Sequence, residues 1–356
     1  LQGWTAFGGP AAHIALFQKI FIERLNWMSH SLFMELFALG QCLPGPTSTQ
    51  VSFAIGVVKK GILGGLLSGM LFQYPGLLMM SVIGYAADQV DWQNGALKGF
   101  ASGLGAVGVA LVAGAALTLS QKTCPDRETR ILNLIAAVLA YMFSSAWIFP
   151  SLIAFGGLVT LIRERTRRLE GGGRREERGD VTDRQVTGAI LLIVWISVLV
   201  IAIVLRTSVI KYEGSGRVLW WFESFYRTGS IIFGGGQVVL PLLVQEVVHN
   251  PNVQSWMTEE QFLAGLGIAQ AMPGPLFNIA AYLGALTASQ AGVNAIVGVC
   301  ATWFGLFGPG VLVIFGTLPF WGVFRKQPVY RRALPGMNAA AVGLIVAAVF
   351  SLYDKV

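Results

Sequence analysis

Two short stretches of this chain combine residues that can build an anion site out of backbone. The first is Pro44-Gly45-Pro46-Thr47-Ser48-Thr49-Gln50, and the second is Pro273-Gly274-Pro275-Leu276-Phe277-Asn278. Proline removes a backbone donor and ends the preceding helix. Glycine between two prolines lets the chain reverse. The second proline suits the first position of a new helix. The amides after it, around Thr47–Thr49, then lack an intrahelical partner. They form the positive end of a helix dipole, beside the hydroxyls of Thr47, Ser48 and Thr49. Such an end binds anions. The second stretch repeats the arrangement with fewer hydroxyls and one amide, Asn278.

Other candidates surround these breaks. Gln41 and Gln270 each stand three residues before a Pro-Gly-Pro. Together with Gln73 they are potential donors to an oxyanion, or caps for broken helices. Phe7-Gly8-Gly9-Pro10 and Phe233-Gly234-Gly235-Gly236-Gln237 give the backbone room to approach a ligand, or let helices pack tightly. His13 lies one turn past the first glycine motif, where a gate or proton role competes with an ordinary buried, hydrogen-bonded histidine. Glu35 and Glu223 are isolated carboxylates near apolar sequence, and an intramembrane acid is a proton-coupling candidate. Arg227 reads either as an anion attractor or as a side chain snorkelling to the headgroups.

The motifs recur in order. Phe-Gly-Gly repeats at an offset of 226 residues, and Trp-Met (Trp27-Met28, Trp256-Met257) and Pro-Gly-Pro repeat at 229. One Pro-Gly-Pro reads equally well as a loop between helices. Two copies in uncharged sequence point instead to a transporter built from two repeats, with its site where both are broken.

The elements that must position these residues are apolar helices. Of 356 residues, 54% are hydrophobic and only 12% charged, against about 25% charged in a soluble domain. Gly61–Ala87, Gly99–Gln121, Ile131–Ile162, Thr187–Leu205, Ala333–Leu352 and the 64 residues Gln261–Phe324 contain no Asp, Glu, Lys, Arg or His. A spanning helix needs about 20 such residues. The expected fold is therefore an all-α polytopic membrane protein. The net charge of +7 is not a nucleic-acid signal, because the basic residues sit in short loops where they set orientation. Three cysteines and three histidines without paired spacing suggest no disulfide frame, metal site or cofactor. The absence of a Walker lysine motif argues against ATP as driver. The chain opens on Leu1, so part of the N-terminus is expected upstream.

Arg163–Arg184 holds eight Arg and six acidic residues around three glycines and reads as a solvated cytoplasmic linker. It separates a first repeat with an extra hydrophobic pair (1–162) from a connecting helix and second repeat (187–356), the linker itself spanning 163–186. Lys59-Lys60 follow the first break, whereas the matching Thr287–Gln290 is uncharged. Asp88 and Asp91 follow the next helix of the first repeat, whereas Arg325, Lys326, Arg331 and Arg332 occupy that place in the second. The positive end has switched, so the repeats are expected in inverted topology. Lys19 and Arg24 with Lys59-Lys60 put both flanks of the first break inside. Glu246, Glu259 and Glu260 put the second outside. Two re-entrant hairpins are predicted, about 31–58 and 261–288, since irregular backbone at that depth must be shielded from lipid. Arg206, Lys211 and Arg217 run against this map.

The sequence resembles the chromate ion transporter family in its long-chain, two-domain form. The likeness rests on Phe7–Ala15, Pro44–Gln50, Phe233–Pro241, Gln270–Asn278 and Gly336-Met337-Asn338-Ala339-Ala340-Ala341-Val342-Gly343. It implies a non-enzymatic secondary transporter in the plasma (inner) membrane that exports chromate and confers resistance, with two oppositely oriented halves. Its partners are then chromate or a similar oxyanion, membrane lipid and, in a homodimer, a second copy. A sulfate or other anion carrier, an anion channel and a membrane-embedded reductase are the rival expectations; the last lacks a redox centre.

Overall fold

The structure is a computed structural model. It describes residues 2–7, 13–14, 16–29, 32–33, 36–37, 39–40, 43–89, scattered positions between 99 and 123, 124–143, 148–167, 183–208, 212, 214, 216–232, 239–249, 255–321 and 327–353. The chain is an all-α membrane protein, with no strand among the described residues. Helix α1 is Thr47–Ala87. It is followed by α2 (Arg127–Met142), α3 (Ile148–Arg167), α4 (Asp183–Ser208), α5 (Gly216–Ile231) and α6 (Val239–Val247). Then come α7 (Glu259–Ala271), the turn Leu276–Asn278 running into α8 (Ile279–Gln290), α9 (Ala295–Thr317) and α10 (Pro328–Tyr353).

Local chemistry sets the helix starts. Asp126 caps α2 by accepting from the Thr129 amide at 2.8 Å. Thr258 and Gln261 form a reciprocal capping box on α7, and Asn294 accepts from the Ile296 amide at 2.8 Å to open α9. These contacts satisfy end donors that would otherwise lack partners. Among the described residues, three helices are long and apolar enough to cross a membrane: Thr47–Ala87, Gln185–Ser208 and Ala295–Phe320. Large apolar side chains lie exposed along them, among them Leu63, Leu67 and Leu71 on α1 and Ile193, Ile196 and Val200 on α4. In water such a surface would be a liability. In lipid it is the outer wall.

α1 is two helices. Lys60 and Gly61 leave helical geometry, and Gly61 has φ +69°. The pieces 47–59 and 62–87 fold back on each other, with Ser52 and Ser68 hydroxyls 3.2 Å apart. A Cβ on Gly56 would lie 2.3 Å from the Gly64 carbonyl. The second half makes a matching pair from α8 and α9, turned at Gly292 (φ +69°). There, a Cβ on Gly284 would lie 2.5 Å from the Gly298 carbonyl. Small residues allow this backbone contact.

Each break lies in a hairpin whose ends meet. Lys59 Nζ sits 5.5 Å from the Trp27 ring centroid, so the chain leaves 47–59 beside the place where it approached. Gln261 and Gln290, at the outer ends of α7 and α8, line one pocket. The two mouths are at opposite ends of the 62–87 helix. Lys59-Lys60 adjoin its start, and Ser289 donates to Asp88 at its finish (2.5 Å).

Arg206 lies in the last turn of α4. It ion-pairs with Glu223 and lies 3.7 Å from Glu246. Arg227 reaches Glu223 at 2.8 Å and Glu246 at 2.6 Å. The Arg206 charge is thus matched within a network of two guanidiniums and two carboxylates.

Candidate functional site

Both Pro-Gly-Pro segments interrupt helices. Residues 43–46 are non-helical, Pro46 is extended (φ −76°, ψ 103°), and 47–59 begins at Thr47. The first bond of that helix runs from the Gln50 amide to the Pro46 carbonyl at 2.9 Å. The amides of Thr47, Ser48 and Thr49 precede it. Residues 272–275 are likewise non-helical, Pro275 is extended, and the Asn278 amide donates to the Pro275 carbonyl at 2.9 Å. Gly45 (φ +120°) and Gly274 (φ +100°) adopt backbone that side chains disfavour.

The breaks are tied crosswise. The Gly45 amide donates to the Ile232 carbonyl at 2.8 Å, and the Gly274 amide donates to the Ala6 carbonyl at 2.8 Å. Ile232 and Ala6 hold the same place, two residues before the Gly-Gly of their own half. Each break also rests on a proline–glycine pair in the long helix of the other half. A Cβ on Gly45 would meet Gly310 Cα at 2.8 Å, and one on Gly76 would meet the Pro273 carbonyl at 2.8 Å. Pro75-Gly76 and Pro309-Gly310 were not among the sequence candidates. The available signal was a Pro-Gly downstream of each Pro-Gly-Pro, inside an apolar helix.

His13 links the two breaks. The Ala6 carbonyl can only accept, so Nε2 donates to it at 3.0 Å, while Nδ1 faces Ser48 Oγ at 3.3 Å. The ring meets Phe72 edge-on at 5.2 Å and is fully buried. Both ring nitrogens therefore have partners, as in an ordinary buried histidine.

The hydroxyls and amides divide into committed and free groups. Thr47 donates to the Gly40 carbonyl at 3.3 Å. Gln50 Nε2 donates to the carbonyls of Pro44 (2.7 Å) and Gly310 (3.3 Å), which clamps the break to α9. Asn278 is spent on both sides: Nδ2 donates to the Gln73 carbonyl at 3.2 Å, and Oδ1 accepts from Trp303 Nε1 at 3.1 Å. Thr49 Oγ1, Gln50 Oε1 and both side-chain atoms of Gln73 are buried without a partner. Gln73 is 0% exposed. The register set by Ser52–Ser68 and Gly56–Gly64 brings 47–48 opposite Phe72–Gln73, and the Gln73 backbone carbonyl accepts from Asn278 at the second break. Buried polar groups are normally satisfied; these four side-chain atoms have no partner in the protein.

Glu223 stands apart. It is eight residues before Ile231, the last residue of α5, about 12 Å along the axis. Both its oxygens face guanidiniums, Arg206 on one and Arg227 on the other. Arg227 is held by Glu223 and Glu246 and does not point to a headgroup layer alone. Gln270 ends α7. Gly8, Gly9, Glu35, Gln41, Gly234, Gly235, Gly236 and Gln237 lie outside the described residues, as does most of the charged linker.

Comparison with known proteins matches the family model described as chromate transporter to residues 1–161 and 219–356. The chain is 28% identical over 356 residues to a chromate transport protein of Pseudomonas aeruginosa, covering 98% of this chain and 78% of that one. It is 25% identical over 359 residues to a chromate transport protein of Cupriavidus metallidurans, covering 99% and 80%. An uncharacterized transporter of Methanocaldococcus jannaschii is 24% identical over 345 residues, covering 97% and 80%. No solved structure matches significantly.

Proposed function

This chain belongs to the chromate transporter family, a family of transporters and not enzymes, and on that premise we propose that it exports chromate from the cytoplasm across the plasma membrane. The halves 1–162 and 187–356 are read as oppositely oriented repeats joined by a cytoplasmic linker at 163–186. The crosswise ties between Gly45 and Ile232 and between Gly274 and Ala6 support this. The oxyanion is held by the amides of Thr47–Thr49, the Thr49 hydroxyl and the Gln73 amide, with the Leu276–Phe277 amides facing it from the other half.

The observation that carries the reading is the Gln73 side chain, wholly buried and unpartnered, on a residue whose backbone carbonyl accepts from Asn278 of the second break. Its donor and those of the helix ends are neutral. A neutral cradle stabilises a dianion through oriented dipoles and releases it more readily than a buried cation would. Membrane potential supplies direction. Each charge crossing 100 mV is worth about 2.3 kcal/mol, so a dianion leaving a negative interior gains about twice that. No proton counterflow is needed.

Chromate efflux from loaded proteoliposomes tests the reading. Gln73→Leu is expected to cut flux at least tenfold while the protein stays folded. Unchanged flux would put the site elsewhere. Sulfate shares chromate's shape and charge, so its competition constant in the same assay ranks the two cargoes. Saturation and counterflow separate a carrier from a channel.

A further inference from the structure

A groove of about 510 Å³ runs along the outside of the first hairpin, between residues 20–27 and α1. Phe21, Leu67 and Leu71 make it mainly apolar, and Arg24, Lys59 and Lys60 also line it. All three cations are exposed. None pairs with a carboxylate among the described residues. Lys59 lies over Trp27, a residue type that sits at headgroup depth. Leu67 and Leu71 belong to the exposed apolar wall of α1, so the groove opens toward lipid tails. The pocket in the corresponding place of the second half, about 490 Å³ and beside Trp256, is lined by Glu259, Gln261 and Gln290 and by no Lys or Arg.

We propose that this groove is a binding site for one anionic phospholipid, its phosphate held by Arg24, Lys59 and Lys60 and one acyl chain laid along Phe21, Leu67 and Leu71. Charge complementarity selects the headgroup, and the apolar lining selects a lipid over a free ion. A water-filled vestibule for an oxyanion would carry polar groups along its length. Under the orientation proposed above, the cations sit at the cytoplasmic leaflet, where anionic lipid attracts basic residues near the membrane surface. The site does not depend on which ion the protein carries.

Native mass spectrometry of the full chain in detergent, titrated with dioleoyl phosphatidylglycerol or dioleoyl phosphatidylcholine, provides the test. One phosphatidylglycerol is expected to be retained in preference to phosphatidylcholine. Each cation neutralised is expected to weaken retention about fivefold, and Arg24→Gln/Lys59→Gln/Lys60→Gln about a hundredfold. The control Lys19→Gln/Arg127→Gln, at exposed positions outside the groove, should change it less than twofold. Circular dichroism of the triple variant should match wild type. Equal retention of the two lipids, or equal losses in triple variant and control, overturns the proposal. Displacement of the lipid by inorganic phosphate at matched concentration also overturns it, and makes the groove an ion vestibule.

Discussion

The two Pro-Gly-Pro breaks share a backbone and differ in what they leave unpaired. Both set a glycine in left-handed space, both open a helix at the second proline, and both tie their glycine amide to the other half. At the first, Thr49 Oγ1 and Gln50 Oε1 are without partners. At the second, Leu276 and Phe277 replace hydroxyls, and Asn278 spends its amide on Gln73 and Trp303. The backbone builds two equivalent frames. The side chains leave unpartnered polar atoms at the first and bond Asn278 to the protein at the second.

Five substitutions break or sharpen that contrast. The largest effect is expected from Gly45→Ala. Its Cβ would lie 2.8 Å from the Gly310 backbone, whereas a Cβ on Gly274 first meets the Asn278 side chain at 3.3 Å. Backbone strain costs about 1–3 kcal/mol at either glycine, and the clash adds to it only at Gly45. Thermal unfolding should therefore fall further for Gly45→Ala than for Gly274→Ala, with chromate flux lost in the former. Equal losses would erase the distinction. Next, Asn278→Leu strands the buried Trp303 N–H and should lower stability by about 1–3 kcal/mol, measured by denaturation in detergent. Gln73→Leu should do the reverse, leaving stability intact while flux drops about ten- to hundredfold, the value of a hydrogen bond to a charged group. Thr49→Val should be mildest, about tenfold in flux. Its hydroxyl supports nothing in the protein, so an unchanged melting profile with reduced flux is the expected pair of readings.

The sequence made part of this legible. Charge-free stretches such as Gly61–Ala87 and Gln261–Phe324 announce membrane helices on their own, because hydrophobic length is a local property. Pro-Gly-Pro announces where helicity stops for the same reason. The rest is non-local. Pro75-Gly76 reads as a kink until the Pro273 carbonyl is found against it. Thr47, Ser48 and Thr49 look alike in sequence, but Gly40 and His13 engage the first two, and only Thr49 Oγ1 is left unpartnered. Arg206 looks like an unmatched charge until Glu223 is found beside it. Nothing in the sequence shows that Asn278 bonds Trp303 and the Gln73 carbonyl. Gln73 was one glutamine among several, because nothing beside it in sequence marks it as unpartnered.

The crosswise ties have a consequence for what counts as a folding unit. Severed anywhere in 163–186, the polypeptide would give two fragments, each presenting a glycine amide whose acceptor is on the other. Neither fragment holds a finished version of its own bend. The molecule is dovetailed, and its smallest complete piece is the joint between the halves.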